Sequence, residues 1–261
     1  MIRGGVDRLA GIIKSREEIE LMRKAGRELA EVREALATMV RPGITTLDLD
    51  QAAYAMIEEL GAKPSFLGYG TGRRAYPATI CASINEEIVH GIPSAKRRLH
   101  DGDLISIDVG LFHYGFHSDT AVTVAVGDAS AEIHRLIEIT RRSLEIGIEV
   151  CRPGARLGDV SNAIQSYVES FGLSVVREYT GHGIGREMHE EPRIPNYGPA
   201  GRGIRLREGM VLAIEPMVNL GDWRTQELDD EWTVITADHK PSAHFEHTVA
   251  LTENGAEILT V

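Results

Sequence analysis

The sequence predicts an α+β domain assembled from two related halves. Three observations lead there: apolar residues recur at helical spacing in two pairs of segments, the later pair repeats the earlier one, and each pair is followed by a strand-like apolar run that ends in a carboxylate. Ser15-Arg16-Glu17-Glu18 opens the first helix with Ser followed three residues later by Glu, the capping-box pattern. Ile19, Met22, Ala25, Gly26, Leu29, Val32, Leu36 and Met39 then fall on one helical face, and Arg41-Pro42-Gly43 stops it. A second helix is expected over about 47–60, ending at Gly61. A third is expected over about 131–150, stopped by Arg152-Pro153-Gly154, and a fourth over about 157–171, ending at Gly172.

Residues 41–61 align without a gap on 152–172, and 7 of the 21 positions are identical. Ordinary residue frequencies would give roughly one or two. Helix punctuation accounts for the Arg-Pro-Gly triplet and the terminal glycine, but Asp48/Asp159, Ala52/Ala163 and Glu58/Glu169 also match in phase. Residues 101–108 (DGDLISID) match 208–215 (EGMVLAIE) in the same way, placing Asp108 and Glu215 at equivalent strand ends. The expected organisation is a short N-terminal segment, 1–14, then a single domain, 15–261, with halves of approximately 15–127 and 128–261 and a shared site between them.

Composition narrows the function. The 261 residues carry 28 Lys+Arg against 39 Asp+Glu, a net charge of −11, which argues against nucleic acid or an anionic membrane as the main partner. Apolar residues make up 43%, yet no run approaches the roughly 20 needed to span a bilayer. The first residues lack a secretory pattern, and two cysteines, Cys81 and Cys151, suggest no disulfide framework, so a cytoplasmic enzyme is expected. Familiar catalytic motifs are missing. GHGIG is no dinucleotide fingerprint, His189-Glu190 is followed by Arg193 where a zinc helix needs His, and there is neither a G-x-S-x-G nor a P-loop.

Carboxylates carry the functional signal. A hairpin centred between His113 and Tyr114 would set Asp108 opposite Asp119, and no Lys or Arg lies anywhere in 104–134 to neutralise them. Exposure of one of them at the hairpin edge is the competing account. Glu215 ends the apolar run 210–214, Glu246 opens HTVALT, and His182 sits among the glycines of GHGIG. Four carboxylates and a neutral imidazole balance two divalent cations, and hard to borderline donors suit Mn²⁺, Fe²⁺, Co²⁺ or Zn²⁺ in an open site.

Taken together, Ser83-Ile84-Asn85-Glu86, His90-Gly91-Ile92-Pro93, Asp108 to Asp119, Gly181-His182-Gly183-Ile184-Gly185, His189-Glu190-Glu191-Pro192, Glu215-Pro216 and Phe245-Glu246-His247-Thr248 resemble the type I methionine aminopeptidases, from about Lys14 to the C-terminus. The resemblance implies the pita-bread fold, a curved antiparallel sheet flanked by helices with pseudo-two-fold halves. It implies Asp119 and Glu246 as bridging ligands of two metal ions, Asp108 as a chelator of one, and His182 with Glu215 completing the other. By the same likeness His90 and His189 contact substrate, and one of them stabilises the oxyanion. Glu215 doubles as a proton shuttle. Phe66, Tyr69, Tyr76, Cys81, Met188 and Trp232 are candidates for a methionine pocket. The implied reaction removes the N-terminal methionine of nascent chains, favouring a small second residue, by attack of a metal-activated hydroxide on the first peptide bond. Nascent N-termini are the implied partners, with transient ribosome association, and a monomer is expected.

Three departures stand out. The loop 70–75 between Tyr69 and Tyr76 is longer than in familiar bacterial members, so one tyrosine is expected to leave the pocket. Met188 replaces a common Phe. His244 replaces a common Gln and shares the strand face of Glu246; contact with substrate or metal is one reading of it, and a solvent-facing side chain is the favoured expectation. Two other readings remain: a proline-specific peptidase of the same fold, which usually carries an extra N-terminal domain for which this chain has no room, and a non-catalytic binding protein, which would typically have lost metal ligands.

Overall fold

Local capping sets the first helix. The Ser15 hydroxyl accepts from Glu18 N at 3.2 Å and the Glu18 carboxylate accepts from Ser15 N at 2.7 Å, which starts α1 (Arg16–Met39). The structure, a computed structural model, describes residues 12–261; residues 1–11 of the expected N-terminal segment lie outside it. In the first half α1 is followed by α2 (Thr46–Glu59), β1 (Lys63–Pro64), β2 (Ile80–Ile84), β3 (Glu87–Val89), β4 (Leu104–His113) and β5 (Phe116–Ala125). The second half opens with α3 (Ala131–Val150) and α4 (Leu157–Ser170), then β6 (Ser174–Val175), β7 (Gly181–Gly183), β8 (Glu190–Ile194) and β9 (Val211–Ile214). It closes with β10 (Met217–Asn219), β11 (Thr225–Glu227), β12 (Val234–Thr236), β13 (Ser242–His244), β14 (Glu246–Thr252) and β15 (Gly255–Ile258). All four predicted helices form within a residue or two of the expected bounds.

Among the described residues the main sheet has nine strands, in the order β1-β4-β5-β14-β9-β7-β8, with β2 also on β4 and β15 on β14. Its pairings are antiparallel, and the halves meet where β5 pairs β14. Alternation gives the sheet two characters. Ile105, Ile107, Val109 and Leu111 of β4 pack with Leu29 and Leu36 of α1 and with Leu49 and Ile57 of α2. Leu212 and Ile214 of β9 and Val249 and Leu251 of β14 pack with α3 and α4 through Leu136, Leu144, Val160 and Ile164. The opposite face carries Ser106, Asp108, Asp119, Thr123, Glu246 and Thr248.

The duplication is visible in the bonding. Gly43 N donates to Leu99 O at 2.8 Å, and Gly154 N donates to Leu206 O at 2.9 Å. Asp48 accepts from Thr45 N and Asp159 from Arg156 N, each at 2.8 Å, so this matched pair is helix punctuation after all. No helix among the described residues is long and apolar enough to cross a membrane.

The hairpin register differs from expectation. β4 and β5 pair from Leu104↔Ala125 to His113↔Phe116, which makes Tyr114-Gly115 the two-residue turn. Both turn residues have positive φ, 53° and 87°, as the favoured hairpin turn requires. Gly115 adopts this freely. Tyr114 is held there because its hydroxyl and His113 Nδ1 both reach the Glu28 carboxylate at 2.8 Å. Asp108 therefore faces Ala121, and Asp119 faces Gly110. The two carboxylates are diagonal neighbours on one face, with backbones roughly 7–8 Å apart. Asp108 also lies in the middle of β4, whereas Glu215 follows the last residue of β9.

Candidate metal centre

Strand register brings most of the candidate donors together. One row across the sheet runs Cys81, Asp108, Ala121, Glu246. In the next row Thr248 pairs Ala213, and Ala213 pairs His182. Thr248 also ties this row to Asp119, accepting from Asp119 N at 3.0 Å and donating to Asp119 O at 2.8 Å. Glu215 stands two residues beyond Ala213 and so shares its face. Asp119, His182 and Glu246 each bring one donor atom within 4.8 Å of the others. Glu215 Oε1 lies 3.6 Å from His182 Nε2, and Asp119 Oδ2 lies 3.9 Å from it.

His182 is prepared for ligation. Its Nδ1–H donates to Gly183 O at 2.8 Å, which leaves the Nε2 lone pair toward the carboxylates. Burial, with the nearby His189, pushes its pKa down to about 3, so the ring is neutral. Burial pushes Asp108 up to about 7 against a hydrogen bond with Asp119 that holds it down. Burial likewise raises Asp119, Glu215 and Glu246 well above the carboxylate range, and their mutual repulsion adds to it.

These residues fit a divalent metal. Asp108 Oδ1 and Glu246 Oε1 are buried with no hydrogen-bond partner. Among the described residues the ion-pair partners of the four carboxylates within 4.0 Å are imidazoles, His182 and His244. A carboxylate cluster with no ammonium or guanidinium on it needs protons or cations to be stable. The donor set, oxygens with one imidazole, matches borderline divalent ions.

A cavity of about 510 Å³ opens on these donors, and all five line it. His90, His189, Phe66, Tyr69, Tyr76, Cys81 and Trp232 line it too. His90 has φ 61°, uncommon outside glycine, and its ring meets Trp232 and Tyr179 edge-on at 5.9 and 5.7 Å. Burial, then His189, lowers His90 to about 4. The His189 ring centre is 4.3 Å from that of His182, and its Nδ1 meets the Tyr69 hydroxyl at 2.6 Å.

Both tyrosines keep a place at the cavity. Gly68 N donates to Tyr76 O at 2.9 Å and Tyr76 N donates to Tyr69 O at 2.7 Å, so the longer loop 70–75 is pinched off between them. Tyr76 forms a buried wall with its hydroxyl on Ile80 O and Gly91 O, and Tyr69 forms the exposed rim. Met188 is placed differently: it is buried in an apolar cluster with Phe66 and Cys81 rather than on the cavity surface. His244 is also corrected. It is 2% exposed, with Nε2 3.7 Å from Glu215 Oε2, because the face it shares with Glu246 is the covered one.

Sequence reasoning missed Tyr179 and Thr180 on the cavity wall, although both immediately precede GHGIG. It also missed Lys14, whose buried ammonium bonds the Glu190 carboxylate beside His189. Its position just before the Ser15 cap was the available signal.

Comparison with known proteins places this geometry in context. The family model of metallopeptidase family M24 matches residues 20–253. A methionine aminopeptidase of Clostridium perfringens is 53% identical over 251 residues, covering 96% of this chain and 98% of that protein. The crystal structure of a methionine aminopeptidase from Thermotoga maritima superposes with a TM-score of 0.92 at 46% identity, covering 100% of this chain and 99% of the other. A prolidase from Pyrococcus furiosus superposes less closely, at TM-score 0.77 and 26% identity, and this chain covers 67% of it.

Proposed function

The chain belongs to metallopeptidase family M24, in its methionine aminopeptidase branch, and from that premise we propose that it removes the N-terminal methionine of nascent polypeptides in the cytoplasm, with two divalent ions and a preference for a small second residue. The observation that carries this reading is the meeting of Asp119, His182 and Glu246 within 4.8 Å, in the wall of a cavity lined by apolar and aromatic side chains. In this reading Asp108, Asp119, His182, Glu215 and Glu246 would together hold the ions. The charges of four carboxylates and two divalent ions then cancel. Mn²⁺, Fe²⁺, Co²⁺ and Zn²⁺ all suit the donors. Residues 15–261 act as one catalytic domain, working as a monomer and meeting the ribosome transiently.

Divalent ions held there would lower the pKa of a bound water to near neutrality and would polarise the scissile carbonyl. The chain's own residues do the rest. His189, held by Tyr69, and His90, braced by Trp232 and Tyr179, present neutral N–H groups to the carbonyl oxygen as charge develops on it. Glu215 takes a proton from the attacking water and passes it to the departing amine. Phe66, Tyr76, Cys81 and Trp232 receive the methionine side chain and exclude water around it.

Release of free methionine from Met-Ala-Ser and Met-Leu-Ser peptides, with chelated and metal-restored protein side by side, tests the proposal. Cleavage of the first peptide only, and only with metal, is expected. Efficient cleavage of X-Pro peptides instead would transfer the chain to the proline-specific reading.

A further inference from the structure

Glu215 carries an imidazole on each oxygen. Oε1 lies 3.6 Å from His182 Nε2, and Oε2 lies 3.7 Å from His244 Nε2. His182 belongs to the donor set, but His244 does not line the cavity. Its side chain is buried, and its Nε2 has no hydrogen-bond partner among the described residues. A buried ring nitrogen in that condition costs stability unless something calls for it.

The backbone of His244 is fixed from both sides. His244 N donates to Thr123 Oγ1 at 2.9 Å, and Thr123 Oγ1 donates to His244 O at 2.7 Å. The Thr123 hydroxyl is in turn met by Ser106 Oγ at 2.8 Å, and His244 pairs with Met217 across β10 and β13. The ring is thus delivered to Glu215 by strands of both halves. On the other side, Asn196 Nδ2 donates to the Glu215 carbonyl at 2.9 Å and fixes that backbone. Two anchored backbones leave the Glu215 side chain as the adjustable part. The 3.7 Å separation stands just outside hydrogen-bond length.

We propose that His244 is a positioning residue for the metal centre: its Nε2–H donates to Glu215 Oε2 and keeps Oε1 turned toward His182 and the ion. The inference rests on the reading of Glu215 as a ligand. Carboxylate ligands are commonly held in this way, and loss of such a partner typically costs about 10- to 100-fold in metal affinity or activity.

The test is titration of metal-stripped protein with Mn²⁺ and, separately, Co²⁺ by calorimetry, together with kcat and KM on Met-Ala-Ser. In H244L the ion at Glu215 is expected to bind roughly tenfold more weakly or worse, with the number of ions unchanged, and kcat is expected to fall more than KM rises. H244Q, which keeps an N–H donor of similar reach, is expected to restore affinity to within about threefold. If H244L does not fold, H244N, whose shorter amide cannot reach Glu215, is held to the same criterion. Unchanged affinity in the variant lacking the donor overturns the inference. So does loss of one whole ion, which would make His244 a ligand itself. Absence of metal binding by the unsubstituted protein would instead defeat the metal reading of the site.

Discussion

Asp119 is buried on the sheet with Asp108 on one neighbouring strand and Glu246 on the other, and repulsion from both raises its pKa beyond the effect of burial. One substitution should therefore have opposite effects in two states. Asp119→Asn removes a charge that the metal-free protein must hold protonated or strained. It also removes a proposed metal ligand. The metal-stripped variant is expected to melt higher than the stripped parent, by about 2–4 °C for each 1 kcal/mol of relieved repulsion. The variant should gain little from added metal and lose at least about a hundredfold in kcat. Thermal melts with and without chelator check the first part and methionine release the second; a stripped variant that melts lower would contradict the account of the cluster. A second residue-scale prediction concerns the His189 imidazole. Its Nδ1 is held by the Tyr69 hydroxyl at 2.6 Å near the rim. Tyr69→Phe keeps the ring but removes that bond, which is worth about 1 kcal/mol, or about fivefold in kcat/KM. Melting temperature should stay unchanged, since Tyr69 is exposed.

At the scale of elements, local rules and close packing pull in different directions on α1. Gly26 sits inside this helix, where alanine would ordinarily gain about 0.5–1 kcal/mol. A Cβ at that position would stand 2.3 Å from Leu259 O, a backbone atom just beyond β15. Overpacking of this kind costs about 1–3 kcal/mol, so Gly26→Ala is expected to destabilise on balance, as a lower midpoint in urea with unchanged slope. The same contrast explains what could be read from sequence. Helix limits were legible because Ser15, Pro42, Gly43 and Gly61 act on their own neighbours. The gathering of Asp108, Asp119, His182, Glu215 and Glu246 on one cavity was legible because carboxylates on apolar strands, with no Lys or Arg nearby, need some other positive charge to be buried at all. The hairpin register was not, because Glu28 of α1 reaches Tyr114 across the fold and helps to hold the turn one residue later. His244 was misplaced for a related reason. Periodicity states which face a residue occupies, but not whether another element covers that face.

Across the whole molecule, the proposed centre draws Asp108 and Asp119 from one half and His182, Glu215 and Glu246 from the other, and the halves join along β5 and β14. A ligand that binds only the assembled site stabilises by RT ln(1 + [L]/Kd), about 2.7 kcal/mol at a hundred times Kd. Because its donors lie on β4 and β5 in one half and on β7 and β14, with Glu215 just past β9, in the other, that energy is lost when either half opens. Metal should therefore protect the amides of these strands together, whichever half they belong to. Hydrogen exchange with and without Mn²⁺ measures this directly. The expected result is slowed exchange in Leu104–His113, Phe116–Ala125, Val211–Ile214 and Glu246–Thr252 by comparable factors, with the outer turns of α2 and α4 changed less. Protection confined to one half would mean that the ions are held by that half alone, and that the duplicated architecture does not share its site.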